Sequence, residues 1–265
     1  MKVKPDQHLA NLTDSHCHLT CPELSKDIVA VLERAERAGV KRLVTIGQGV
    51  DDSIAVIELA RRYRAVYAAL GVGPHEANHA SQIEIEKLSL LADAPKVVAF
   101  GEVGLDYYYD QPSRDIQRTV FAEQVGLAGE LGLPLIIHCR EAWDDCLAVL
   151  DENTTGQIGG VFHCYTGSPE MVEQLIDRGF YISFAGLVTF SNADECRAAT
   201  KKVPLERLLI ETDAPYLSPE PVRKVRPNEP AMLIHTAGFM AKLLGLAPIE
   251  LAELTSRNAS KLFGW

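Results

Sequence analysis

No stretch of this 265-residue chain stays apolar for the roughly 18 residues that a membrane-spanning helix requires. Positive charge is scarce: 26 Lys and Arg stand against 36 Asp and Glu, a formal net charge of −10. A protein that grips nucleic acid along its length carries a basic stripe, because phosphate neutralisation dominates such affinity, and no such stripe is visible. A phosphate substrate must therefore be met locally, by bound cations and a few basic side chains. The opening segment, Met1–Leu9 (MKVKPDQHL), has no apolar signal core, so secretion is not expected. Six cysteines in a chain of this length make no disulfide framework, which fits the reduced cytoplasm. Linkers, low-complexity tracts and internal repeats are lacking too, so one domain over residues 1–265 is expected.

What the chain does hold is an alternation of strand-like and helix-like segments from end to end. The strand-like runs are Leu9–Asp14, Arg42–Ile46, Ala65–Gly71, Val97–Val103, Pro134–His138, Gly160–His163, Tyr181–Phe184 and Leu208–Glu211. Helical patterns lie between them, over Leu24–Ala38, Asp51–Tyr63 (with Asp51 as its cap), Ser81–Leu91, Arg114–Leu131, Ala142–Asp151, Pro169–Arg178 and Ala193–Lys201. Two more, Ala231–Leu244 and Pro248–Arg257, close the chain. Near-continuous apolar strands alternating with helices predict a parallel sheet covered on both faces. Eight such units point to an α/β fold of the (β/α)₈ TIM-barrel type, with an open doubly wound sheet as the alternative.

Polar residues decide between the two. His16 and His18 flank Cys17, and strand alternation turns both imidazoles to one face. Glu102, His138, His163 and Asp213 each stand at the carboxyl end of a separate apolar run. In a barrel those ends converge on one mouth; in an open sheet they would not all meet. Cys17, Cys139 and Cys164 follow His16, His138 and His163 directly, so alternation turns their thiols away as small packing residues.

Four histidines and two carboxylates exceed what one tetrahedral ion takes. They suit two divalent cations about 3.5–4 Å apart, bridged by a carboxylate and a water acidified by both. Mixed nitrogen and oxygen donors admit Mg²⁺, Mn²⁺, Zn²⁺ or Co²⁺.

Five blocks carry a resemblance: Thr13–Leu19 (TDSHCHL), Gly101–Tyr108 (GEVGLDYY), Pro134–Glu141 (PLIIHCRE), His163–Gly167 (HCYTG) and Glu211–Leu217 (ETDAPYL). In this order, with the ending Asn258–Gly264 (NASKLFG), they resemble the TatD-type metal-dependent deoxyribonucleases from about residue 11 onward. The resemblance implies a metal-dependent hydrolase barrel with a two-metal site. It implies that His16, His18 and Asp213 hold one ion and His138 and His163 the other, with Glu102 bridging. Asp213 is then also the proton acceptor from the attacking water. The implied activity is phosphodiester hydrolysis from a 3′ end, with nucleic-acid ends as substrate and neither a membrane nor an obligatory protein partner. Two positions depart from the family pattern: Gly73 where a first histidine is usual before His75, and Pro227 where Arg is usual, one residue after Arg226.

Around this set, His75, Arg140 and Arg226 are candidates for substrate contact, Arg140 having a salt bridge with Glu102 or Asp144 as its structural alternative. Glu211 and Asp14 are candidates to orient ligand histidines from behind. Asp106 is expected to cap its loop, and Tyr107, Tyr108 and Tyr109 either stack bases or pack that loop. His8, His79 and His235 match no ligand block, and Trp143 and Trp265 read as helix-packing residues. A competing function keeps the scaffold but takes a cyclic amide, lactone or aminoacyl ester; relatives of that kind often bridge their metals with a carbamylated lysine, and Glu102 occupies that place here. A non-catalytic metal-binding protein is a further alternative, disfavoured by the completeness of the ligand set.

Overall fold

The computed structural model describes residues 11–154 and 159–265, so His8 lies outside the described residues. Eight strands run in chain order: β1 Leu12–Cys17, β2 Val40–Ile46, β3 Val66–Leu70, β4 Val97–Asp106, β5 Leu135–Arg140, β6 Gly160–Phe162, β7 Tyr181–Phe184 and β8 Leu208–Ile210. Each pairs in parallel with the next. The end of β1 is joined to the chain just past β8 by a parallel bridge between Cys17 and Ala214. There His18 N donates to Ala214 O (2.7 Å) and Asp213 N to His16 O (3.0 Å). The result is a nearly closed eight-stranded parallel barrel with helices between its strands, the TIM-barrel arrangement expected from the alternation.

Two apolar layers result. The larger packs the outer strand faces against the helices and takes in Cys17 and Cys139, so those thiols are packing residues as alternation predicts. The smaller contains Val44, Ile46, Ala69, Ala99, Ile136, Val161, Tyr181 and Leu209, with Phe263 below them. Trp265 packs tilted against Tyr67 at 4.3 Å beneath the barrel, and Trp143 packs on Tyr165 at 5.2 Å. Full burial of a side chain such as Ile46, Ile136 or Leu209 contributes about 1.5–3 kcal/mol. Ile136, Val161 and Leu209 of the inner layer stand two residues before His138, His163 and Glu211. Alternation therefore lifts those polar groups onto the same inward face, one layer higher.

Local chemistry sets the helix limits. The helix Arg114–Leu131 stops where Gly132 adopts φ 66°, a left-handed cap. Ser81 caps the helix Gln82–Leu91 by accepting from Glu84 N. Elsewhere the boundaries shift. The first strand begins at Leu12 and runs to Cys17, so His16 lies within it. The helical pattern over 24–38 divides into Pro22–Ser25 and Ile28–Arg37. Gly49, rather than Asp51, precedes the helix Val50–Arg62, and Asp52 takes the Gln48 N–H instead. Among the described residues no single helix is long and apolar enough to cross a membrane.

Candidate metal centre

At the carboxyl ends of the strands six side chains converge. His16 comes from within β1, and His18 lies just past it, where the chain turns to meet Ala214. Their Nε2 atoms are 3.1 Å apart. His138 on β5 and His163 just beyond β6 bring Nδ1 and Nε2 to 3.1 Å of each other. Asp213 follows β8 with φ 53°, a left-handed conformation that an aspartate tolerates better than most residues. Its Oδ1 stands 3.7 Å from His16 Nε2 and 3.5 Å from His18 Nε2.

Simple alternation along β4 does not place Glu102. Gly101 pairs with Ile136 and Val103 with Ile137, so two steps on β4 oppose one on β5 and Glu102 is the extra residue. The bulge turns its carboxylate inward among the histidines. A Cβ on Gly101 would stand 2.6 Å from Ile136, so this close approach requires glycine. Glu102 divides its oxygens: Oε1 faces His138 Nδ1 (2.8 Å) and His163 Nε2 (3.0 Å), while Oε2 faces His16 (3.5 Å) and His18 (3.7 Å).

Charges in this buried cluster are strongly coupled. Burial opposes ionisation of Glu102, yet charged His163 and hydrogen bonds from His138, His16 and His163 hold its carboxyl well below the usual range. His163 is likewise opposed by burial but lifted well above its ordinary value by Glu102 and Glu211. His138 is raised despite burial by Asp106 and Glu102, and His18 by Asp213. Burial, seconded by His163, lowers His16. Asp213 is lowered against its burial by His18 and its neighbours.

Two pairs of ring nitrogens at 3.1 Å, each facing a carboxylate oxygen, form a donor set that suits divalent cations. Within it His16, His18 and Asp213, and His16, Glu102 and His163, are each close enough to share an ion, and Glu102 Oε1, His138 Nδ1 and His163 Nε2 lie 2.8, 3.0 and 3.1 Å from one another. Imidazole and carboxylate donors together fit Zn²⁺, Mn²⁺ or Co²⁺, and the carboxylates also suit Mg²⁺.

Behind the six, Glu211 is fully buried and holds His163 Nδ1 at 3.2 Å. Asp14 touches no ligand ring: its carboxylate accepts from Thr212 N (2.8 Å), the Thr212 hydroxyl and His16 N (3.4 Å). It thereby ties β1 to the turn carrying Asp213, and burial raises its carboxyl to about 7 against those hydrogen bonds. Asp106 does more than cap a loop. It ends β4, its Oδ1 accepts from Tyr108 N and Tyr109 N (both 3.0 Å), and its Oδ2 meets His138 Nε2 at 3.1 Å. Its place four residues after Glu102 at the same strand end was the signal for that second contact. His16 has no such partner; its Nδ1 is buried without a hydrogen bond among the described residues.

The candidates for substrate contact fare differently. His75 stands 44% exposed with Nε2 3.4 Å from Asp106 Oδ2. Arg140 lies over Tyr108 at 3.8 Å and Tyr109 at 5.2 Å, in place of a salt bridge with Glu102 or Asp144. Arg226 is exposed and donates to Ser218 Oγ at 3.2 Å. Of the three, His75 and Arg140 are brought beside the six. His79 is exposed and His235 half-buried, outside the cluster.

The family model described as TatD related DNase matches residues 13–264. The metal-dependent hydrolase YcfH of Escherichia coli (strain K12) is 41% identical over 255 residues, 95% of each chain. The 3′-5′ ssDNA/RNA exonuclease TatD of Salmonella typhimurium is 37% identical over 254 residues, 94% of this chain and 98% of that one. The crystal structure of YJJV, a TatD homolog from Escherichia coli, superposes with a TM-score of 0.91 at 32% identity, covering 97% of this chain and 99% of that one.

Proposed function

This chain belongs to the TatD-related DNase family and is a metal-dependent hydrolase, and from that premise we propose that it cleaves phosphodiester bonds in nucleic acid. The substrate is a single strand, shortened nucleotide by nucleotide from its 3′ end. Two divalent cations per chain serve the reaction, from among Mg²⁺, Mn²⁺, Zn²⁺ and Co²⁺. Residues 1–265 act as one catalytic domain, and six free cysteines suit a reduced, cytoplasmic setting.

The observation that carries this reading is the division of Glu102. One of its oxygens faces the His138–His163 pair and the other the His16–His18 pair, as a carboxylate between two cations must. In this reading His16, His18 and Asp213 hold one ion, His138 and His163 the other, and Glu102 both. When bound, such ions lower the pKa of water and neutralise charge on phosphoryl oxygens.

The chain's own residues do the rest. Asp213, 14% exposed where Glu102 is 7%, is the carboxylate nearest the mouth and accepts the proton of the attacking water. Glu211 keeps the His163 proton on Nδ1, so that Nε2 faces Glu102. Asp14 holds the turn that presents Asp213. Arg140 and His75 meet the phosphates, which a chain of net charge −10 cannot attract over long range. A strand end entering the mouth suits that distribution better than a grip along a duplex.

The reading is tested by incubating metal-reconstituted protein with end-labelled single- and double-stranded oligonucleotides, beside a panel of lactones and amides. Stepwise shortening of single strands from the 3′ end, abolished by chelator, is the expected result. Turnover of a lactone or amide with intact oligonucleotides would replace it by the small-substrate alternative.

A further inference from the structure

Three consecutive tyrosines follow the buried Asp106, and the structure treats them differently. Tyr107 packs inward: its hydroxyl donates to Asp145 Oδ2 at 2.6 Å and Arg114 covers its ring at 4.3 Å. Tyr108 and Tyr109 turn outward and stay 53% and 60% exposed. Their rings meet edge to face at 5.0 Å. Exposed neighbouring aromatic rings offer flat surface on which a ligand ring can pack. Their backbone is nevertheless held firmly, since Asp106 Oδ1 takes both N–H groups and Gln117 brackets the Asp106 main chain at 2.7 and 3.1 Å.

The surroundings say what would cover them. Arg140 spreads its guanidinium over the Tyr108 ring at 3.8 Å and makes no ion pair among the described residues, so its charge is free for an anion. On the other side the His75 ring stands 5.5 Å from Tyr109 and 5.9 Å from His138. These two ring-to-ring steps lead from the exposed aromatic pair to the metal centre, a path on the scale of one nucleotide. Aromatic faces beside a lone guanidinium match a base attached to a phosphate, and stacking of this kind accepts any base.

Resting on the nuclease reading, we propose that Tyr108 and Tyr109, with Arg140 across them, form a stacking subsite for the base at a single strand's terminus, and that Asp106 ties this subsite to His138. One carboxylate serves both ends: Oδ1 sets the tyrosine backbone, Oδ2 sets the His138 ring. Asp106 is thus a positioning residue, acting through its neighbours. The subsite accepts any base, because its rings engage the face that every base presents.

The test uses metal-loaded protein and single strands with phosphorothioate linkages, carrying 2-aminopurine at the 3′ terminus or at the centre. Stacking quenches this base, so terminal fluorescence falls on binding while central fluorescence changes little. The Tyr108→Leu/Tyr109→Leu variant, altered at exposed positions, abolishes terminal quenching and weakens strand binding on the order of tenfold. Asp106→Asn keeps an Oδ1 for both tyrosine N–H groups and so retains the terminal quenching, but it loses the carboxylate oxygen facing His138 and, with ordinary strands, lowers kcat more than it raises KM, whereas Asp106→Ala loses the quenching as well; an unchanged kcat in Asp106→Asn would remove the tie to His138. Terminal quenching that survives in the tyrosine variant, or binding within twofold of the parent, overturns the subsite. Parallel cleavage of ordinary strands separates the two readings. Cleavage without terminal quenching removes the subsite and leaves the nuclease, whereas terminal quenching without cleavage under any of the metals leaves a base-binding surface and removes the nuclease.

Discussion

Glu211 Oε1 lies 3.2 Å from His163 Nδ1 and 2.7 Å from the Cys164 N–H, so one buried carboxylate sets both the imidazole and the backbone beside it. With Nδ1 engaged, His163 presents Nε2 to Glu102. Glu211→Gln keeps the shape but removes the charge that stabilises the ring N–H. Carboxylates behind metal-bound histidines commonly govern affinity by about 10–100-fold, and a loss in that range is expected here. Metal titration of the purified variant provides the measure. An affinity equal to the parent's would leave Glu211 as packing alone.

Glu102→Ala is expected to be the most damaging single change among the six, because both halves of the cluster face that carboxylate. Bound metal should fall below one ion per chain, where His138→Ala should lose chiefly one of two. Elemental analysis after gel filtration reads the stoichiometry directly. Two retained ions in Glu102→Ala would end the bridging assignment, and a fully active parent holding a single ion would end the two-metal one.

Metal binding should also strengthen as pH rises. In the metal-free cluster Glu102 and Glu211 lift His163 well above its ordinary pKa, and Asp106, Glu102 and Asp213 raise His138 and His18, so these rings keep their protons to higher pH than free imidazoles do. A metal ion needs their lone pairs and expels those protons. Lowering the pH therefore favours the protonated, metal-free form, and raising it through the elevated histidine pKa values favours the ion. Calorimetry in two buffers of different ionisation enthalpy counts the protons released per ion; zero release at neutral pH would contradict this coupling.

Glycines near the site separate into needed and replaceable ones. Gly73 has φ −63°, and a Cβ there would meet only Gln48 Nε2 at 4.0 Å. Gly73→Ala should raise stability by about 0.4–1 kcal/mol through the unfolded chain. Gly104 has φ +136°, and a Cβ there would run into the His138 carbonyl oxygen. Gly104→Ala should cost about 1–3 kcal/mol in backbone strain alone. Urea unfolding of the two variants checks both signs, and a stabilised Gly104→Ala would show that β4 relaxes freely at this point.

These details mark where sequence legibility ends. Strand parity and order were readable, because His138 and His163 repeat the inward phase of Ile136 and Val161 and each closes an apolar run. The helix Arg114–Leu131 and the strand Tyr181–Phe184 have the limits their patterns predict. Glu102 was visible as a residue type in the right block, but its inward turn depends on a bulge, which no alternation rule reports. Arg140 carries a charge that suggests a salt bridge; its stacking on Tyr108 depends on a loop shape set by Asp106. That double role of Asp106 joins the end of β4 to His138 on β5, a relation that exists only once the two strands have paired.

The last prediction concerns how a strand reaches the site. With 26 basic against 36 acidic residues, the chain has no general hold on a polyanion, so productive binding depends on a terminus entering the mouth. There the two cations, Arg140 and His75 meet the final phosphates, and few other phosphates are neutralised by side chains. Salt should therefore weaken binding only modestly, with a slope reflecting those few contacts. Covalently closed single-stranded circles, compared with linear strands of the same sequence, isolate the requirement for an end. Linear strands should shorten to mononucleotides while circles persist under the same metal and salt. Equal rates of loss for both forms would mean that internal bonds enter the site directly, and the end-entry model would have to be given up even with the metal chemistry intact.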